Sequence, residues 1–270
     1  MIGAILGDVV GSIYEFDNLK TKEFPLFSPD CIFTDDTVMT IAVAEALLQY
    51  EKIENYEDFK KTLVQVMHKY GRLYPDAGYG GHFLVWVVRG KTEPYNSYGN
   101  GSAMRVSPVG WYANTLAETI ALATATAEVS HNHPEGIKGA VAVAGAIFLA
   151  RSGATKEEIR LFTDQYYAID FTLDDIRPTY DFDITCQGSV PQALEAFFEG
   201  EDFEGCIRCA ISIGGDSDTI AAMTGSIAEA FYGIPEDYKE TALSYLDLPL
   251  LTVVEAFEEA YLSPHSEVDS

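Results

Sequence analysis

The stretch GGDSDTIAAMTGSIAEAFYG, residues 214–233, sets two aspartates, a serine and a threonine directly before a run of small apolar residues. From Asp218 onward the apolar side chains return at three-and-four spacing, the period of an α-helix, and alanine and glycine leave little polar surface on the remaining positions. A helix that is apolar on most faces belongs inside a protein. The same period runs through IGAILGDVVGSIYEF (2–16), DTVMTIAVAEALL (36–48), YEDFKKTLVQVMHKY (56–70), TLAETIALATATAEV (115–129), IKGAVAVAGAIFLA (137–150) and TVVEAFEEAYL (252–262). No stretch of useful length alternates apolar with polar residues as a half-buried strand would. The pattern therefore predicts an all-α protein, a compact bundle of roughly ten or more helices with Gly, Pro and Tyr in its loops.

Two local features refine this reading. Gly3, Gly7 and Gly11 fall four apart on one stripe of the first helix, which lets another helix approach closely. Thr155 with Glu158, and Ser189 with Gln192, fit the capping box that satisfies free N–H groups at a helix start. No Pro-, Ser- or Gly-rich linker divides the sequence, so residues 1–270 are expected to form one domain, with the last eight, SPHSEVDS, as a flexible tail.

The formal net charge is −25, from 42 acidic and 17 basic residues. Such a field repels nucleic acid and anionic membranes, so neither is an expected partner. A polyanionic ligand has to be held locally, by backbone donors or metal ions. Cys31, Cys186, Cys206 and Cys209 are too scattered for a disulfide framework. Cys206 and Cys209 lie at helical spacing in an apolar run, as helix-core cysteines do. The run from Gly139 to Ala150, between Lys138 and Arg151, is too short to span a bilayer, and no basic segment precedes the N-terminal apolar stretch. A reduced, cytoplasmic location is the expectation; oligomeric state is not legible.

Acids gather at two helix starts. Asp35 and Asp36 follow Thr34, and Asp216 and Asp218 precede Thr219, so TDDTVMTIAVAEALL (34–48) and GDSDTIAAMTGSIAEAF (215–231) share one plan. One carboxylate at a helix start is accounted for by capping and by the helix dipole. Doubled acids at two helices with buried faces exceed what capping requires, and buried carboxylates repel one another unless a cation compensates them. Hard oxygen donors without cysteine or histidine suit Mg²⁺ or Mn²⁺ rather than zinc. An EF-hand does not fit, because counting from Asp216 its sixth and twelfth positions are Ala221 and Ile227. Asp8, Ser12 and Glu15 share one angular sector of the first helix, and Glu15 stands where its periodicity ends, free to move and so suited to proton transfer or to service as a ligand exchanged for substrate.

Glycine-rich loops at DAGYGGHF (76–83) and NSYGNGSAMRVSP (96–108) offer backbone N–H groups to an anion. In the second, Ser97, Asn100 and Ser102 add neutral donors and Tyr98 a flat face for a base. SHNHPEG (130–136) reads as a helix start with Pro134 in its first turn, and His131 or His133 can donate to a phosphate or hydroxyl.

Taken in order, GAILGDVVGSIYEF, FTDDTVMTIAVAEAL, GYGGHFLVWV, YGNGSAMRVSPVGW, SHNHPEGIKGAVAVA and GGDSDTIAAMTGSIAEAFYG resemble the motifs of the ADP-ribosylglycohydrolases. This family includes the dinitrogenase reductase-activating glycohydrolase and the ADP-ribosylarginine and ADP-ribosylserine hydrolases. The resemblance implies an all-α fold with a dinuclear centre, two Mg²⁺ or Mn²⁺ ions, at helix N-termini. It also implies hydrolysis of the glycosidic bond between ADP-ribose and an acceptor, whether protein side chain or small molecule. Carried over, the metal ligands fall on Thr34, Asp35, Asp36, Asp216, Asp218 and Thr219, with Asp35 and Asp36 also in the catalytic set. The mobile acidic residue falls on Glu15. The ADP-ribose loop falls on Ser97, Tyr98, Gly99, Asn100, Gly101 and Ser102, with the histidine at His131. The GYGGHF loop, with His82, would flank the acceptor. Two rival readings are a non-catalytic ADP-ribose-binding relative and a metal-dependent phosphohydrolase. DSDT superficially resembles the aspartyl-nucleophile motif of haloacid dehalogenases, but it lies C-terminal and helical here, with Ile220 where that motif has Thr or Val.

Overall fold

Helices α1 (Ile2–Gly11) and α13 (Ser217–Tyr232) form the most extensive helix pair among the described residues, and the glycines of α1 are the reason. A methyl group at Gly3 would overlap the Gly225 carbonyl oxygen, one at Gly7 that of Ala221, and one at Gly11 the Cα of Asp218. Backbone packs on backbone, as the stripe in the sequence predicts. Glu229 of α13 fastens the other end of α1: its carboxylate accepts from the Met1 amine and from the backbone N–H groups of Ile2 at 3.2 Å and Gly3 at 2.9 Å. The first-turn donors of α1 are thus satisfied across the interface.

The structure, a computed structural model, describes residues 1–261, and the segment expected to form a tail lies outside them. Between the paired helices run α2 (Asp35–Leu48), α3 (Tyr56–Leu73), α4 (Gly81–Val88), α5 (Gly101–Met104), α6 (Ser107–Tyr112) and α7 (Leu116–Glu128). They are followed by α8 (Pro134–Arg151), α9 (Lys156–Thr163), α10 (Leu173–Ile176), α11 (Cys186–Glu199) and α12 (Phe203–Ser212). Beyond α13, α14 (Glu236–Ser244) packs on α1 and α15 (Leu248–Tyr261) on α2. Among the described residues only an isolated bridge between Gly99 and Thr185 has β geometry, so the all-α expectation holds. Every residue of α13 from Ser217 to Glu229 is buried, and α8 crosses the interior between α7, α11 and α13. No helix among the described residues is long and apolar enough to cross a membrane.

Three local expectations end differently. The first helix stops at Gly11 rather than running to Phe16: the Ser12 hydroxyl bonds back to the Val9 carbonyl at 2.9 Å and accepts from the Ile32 N–H at 3.1 Å. Glu15 therefore stands on a turn, outside the helical sector it was expected to share with Asp8. Thr155 and Glu158 do form a capping box, whereas Ser189 lies inside α11, which opens at Thr185. The Cys186 N–H donates to the Tyr98 carbonyl at 3.0 Å, so a contact with a distant loop sets that helix start. Thr172 and Asp175 form a capping box that the sequence pattern did not single out.

Candidate metal centre and ligand pocket

The N-termini of α2 and α13 meet, as their shared acidic plan suggested, and α1 joins them. Asp8, in the middle of α1, accepts from the Thr34 N–H at 2.8 Å, the Thr34 hydroxyl at 2.7 Å and the Thr37 N–H at 3.1 Å, which caps α2 from outside. Thr34 in turn accepts from the Asp36 N–H at 3.3 Å. With capping thus done by Asp8 and Thr34, Asp36 is released for another task. One of its oxygens takes a bond from the Thr219 hydroxyl at 3.0 Å, and the other, Oδ1, is buried without a partner.

At the start of α13, Gly214 (φ 69°) and Gly215 (φ 77°) turn the chain in a left-handed conformation that a side chain would strain. The turn delivers Asp216 and Asp218 to the same place. The Asn100 amide holds Asp216 at 2.6 Å, and the Thr219 N–H bonds Asp218 at 2.9 Å. Asn18, which the sequence reading passed over, fastens the turn to the loop carrying Glu15. Its amide donates to the carbonyls of Tyr14 (2.7 Å), Glu15 (2.8 Å) and Gly215 (3.0 Å), and its oxygen accepts from the Gly215 N–H at 2.7 Å. A lone asparagine in FDNLK carries no pattern that reveals this.

Two carboxylate groups result, Asp8–Asp36–Asp218 and Glu15–Asp216–Asp218, each offering oxygens within 4.8 Å of one another. They share Asp218. Burial, then mutual repulsion, pushes the carboxyls of Asp35, Asp36 and Asp218 well above the ordinary range, and burial raises Asp8 and Asp216. Half-buried Glu15 is raised to about 7, by burial and then by Asp216 and Asp8. The orphaned Asp36 oxygen, the all-oxygen donor set and the concentration of negative charge fit a divalent cation. Asp35 lines the same pocket beside these groups, while the Thr34 hydroxyl lies behind it, engaged with Asp8.

The acids form the floor of a cavity of about 420 Å³. One wall is the 97–101 loop, where Ser97, Gly99, Asn100 and Gly101 face the cavity with His131 behind them. A methyl group at Gly101 would stand 3.1 Å from His131 Nε2, so the glycines keep the imidazole open to the loop. Two residues of the expected set lie apart. The Ser102 hydroxyl is buried on the Gly136 carbonyl at 2.7 Å, and half-exposed Tyr98 leans on His133, ring centroids 5.3 Å apart. His133 accepts from the Glu135 N–H at 3.1 Å as the cap of α8, so of the two histidines His131 alone faces the cavity. Burial, then the nearby Arg105 charge, holds His131 neutral by lowering its pKa well below the usual imidazole value. Gly78, Gly80, Gly81 and His82 also line the cavity, and its exposed side carries Phe16 and Phe182, stacked with ring centroids 6.1 Å apart. Arg105, Tyr95 and the Phe16–Phe182 pair were not anticipated. Arg105 was within reach of the sequence, as the one cation in an otherwise neutral glycine-rich loop of an acidic chain.

A family model described as ADP-ribosylglycohydrolase matches residues 1–262. The ADP-ribosylhydrolase ARH3 of Homo sapiens is 25% identical over an alignment that covers 93% of this chain and 90% of the relative. An ADP-ribosylarginine hydrolase, Tri1, of Pseudomonas putida is 25% identical over 87% of this chain and 70% of its own. A solved structure titled ADP-ribosylglycohydrolase-related protein complex superposes with a TM-score of 0.68 at 24% identity, covering 96% of both chains, and shares the fold.

Proposed function

The chain belongs to the ADP-ribosylglycohydrolase family, and we propose that it hydrolyses the glycosidic bond between ADP-ribose and an acceptor, reversing mono-ADP-ribosylation. The observation that carries this reading is the buried Asp36 oxygen with no partner, set among Asp8 and Asp218 beside a glycine loop backed by His131. Asp35, Asp36, Asp216, Asp218 and Thr219 would hold two divalent cations, magnesium or manganese, with Thr34 joining them through the one hydroxyl lone pair that its bonds to Asp8 and Asp36 leave free. When bound, such ions supply Lewis acidity toward ribose hydroxyls and lower the pKa of a water molecule.

The chain's own residues account for the rest. Backbone N–H groups of the 97–101 loop, apart from those of Gly99 and Asn100 that bond Ser97 and the Ile184 carbonyl, seat the diphosphate together with His131 and without a basic patch, which reconciles an anionic ligand with a charge of −25. Tyr98, in that loop but outside the cavity with its ring near His133, offers its exposed side to an adenine that extends beyond the cavity. The carboxylates stabilise the positive charge that develops at the anomeric carbon as the acceptor leaves. Glu15, on a turn beside Asp216 and at the cavity edge, protonates the leaving acceptor or takes a proton from water. All the acids that a non-catalytic relative would be free to lose are present.

Replacing Asp218, common to both carboxylate groups, with alanine tests this. In an assay that follows ADP-ribose release from ADP-ribosylated arginine and serine peptides with Mg²⁺, turnover should fall at least about a hundredfold, since even outer-sphere partners of metal ligands cost 10–100-fold. Turnover close to wild type on any acceptor would sink the metal-centre reading.

A further inference from the structure

Arg105 is 1% exposed, and among the described residues it enters no ion pair although the chain carries 42 acids. Its Nη2 donates to the Thr126 carbonyl and to the Ser130 hydroxyl, both at 2.9 Å, while Nε has no partner. A buried guanidinium without a carboxylate is costly unless a ligand supplies the opposite charge. Arg105 also lines the ligand cavity, next to Tyr95, Gly101 and His131.

The Ser130 hydroxyl lies 2.8 Å from His131 Nδ1. Arg105 can only donate, so Ser130 accepts from it on one of its two lone pairs, and of the two directions left for the contact with Nδ1, the one in which the serine hydrogen bonds Nδ1 is the one that serves an anion on the loop. That leaves the proton of the neutral imidazole on Nε2, the nitrogen facing Gly99 and Gly101. In the opposite tautomer, Nε2 would present a bare lone pair to an anion on the loop.

We propose that Arg105, acting through Ser130, fixes His131 in its Nε2–H tautomer, so that the imidazole donates to a phosphate oxygen seated on the 97–101 loop, with the ligand's diphosphate as the counter-charge of Arg105. The ligand half of this assignment rests on the diphosphate reading of the loop given above; the tautomer half stands on the free protein alone. Arg105 and Ser130 are positioning residues, and His131 is the group that touches ligand. No chemistry is exchanged along the chain of bonds.

The test is a two-bond ¹H–¹⁵N spectrum of histidine-labelled protein near neutral pH, with His131 assigned by its disappearance in His131→Asn. Nε2 should read as the protonated nitrogen and Nδ1 as the bare one; in Ser130→Ala the two should move toward a mixture, and Ser130→Thr should restore the wild-type pattern. By calorimetry Ser130→Ala should bind ADP-ribose about tenfold more weakly, one hydrogen bond to a charged group. Its affinity for adenosine, which has no phosphate, should not change. An Nδ1–H imidazole in the wild type overturns the relay, as does a Ser130→Ala protein that weakens for adenosine and ADP-ribose alike. A wild-type protein that binds neither ADP-ribose nor ADP overturns the diphosphate reading itself, while its spectrum still decides the tautomer.

Discussion

Replacing Gly7 with alanine strikes the contact on which the acid cluster stands. The added methyl would meet the carbonyl of Ala221 on α13, a backbone atom with no rotamer to change, so the helices have to move apart. Overpacking of this kind costs about 3 kcal/mol, the upper end of the usual range, because nothing can swing aside. Alanine's better helix propensity returns about 1 kcal/mol. The net loss of about 2 kcal/mol corresponds to a drop in Tm of about 4–8 °C for a protein near this size. The separation also displaces the start of α13, because Gly11 one turn on packs against the Cα of Asp218. Scanning calorimetry with and without Mg²⁺ measures both effects: a lower Tm, and a smaller rise in Tm on adding the ion. Gly81→Ala is the control, since nothing lies within 4 Å of the methyl it adds. A Gly7→Ala protein as stable as wild type, or a Gly81→Ala protein that loses as much, would refute the reasoning.

The metal-free protein should show the strain of its acids. Asp36 has its folded-state pKa raised by burial and then by Asp8 and Asp35. Its contribution to stability is therefore present below the unfolded value of about 4 and is lost as pH rises. In EDTA, Asp36→Asn should melt above the wild type at pH 8, with the gap closing as pH falls toward 4, and Mg²⁺ should reverse the order. An Asp36→Asn protein that melts lower in EDTA at pH 8 would contradict this. Glu229→Ala strands the buried N–H groups of Ile2 and Gly3. It should cost about 2 kcal/mol in urea titrations and speed amide exchange at Gly3, whereas Glu229→Gln, which can still accept, should cost less. Unchanged stability in Glu229→Ala would show that α1 needs no cap from α13.

Much of the site was legible because helix starts announce themselves chemically. The acids at Asp35–Asp36 and Asp216–Asp218 stand where α2 and α13 begin, and the glycine stripe of α1 names a backbone contact without naming its partner. Other features were not legible because they depend on atoms far away in sequence. On paper Ser189, with Gln192 three residues on, is the cap, and the bond from Cys186 to Tyr98 accompanies a helix start drawn back to Thr185. Ser102 looks like a donor to ligand until Gly136 takes its hydroxyl. Asp8 stands among the acids of the cluster, and only its bonds to Thr34 and Thr37 show that it also caps α2.

By itself the sequence determined the all-α class, the family motifs and the residue types of an oxygen-rich site, since period, capping and composition are local properties of the chain. Only the tertiary structure decided how those residues divide their work: Asp8 as a cap and Asp36 with a free oxygen, Asn18 binding the Glu15 turn to the GGDSD turn, Arg105 buried behind His131. The physical reason is that each of these roles is a choice among hydrogen-bond partners, and partners 25 to 197 residues apart come within 3 Å only once the helices have packed.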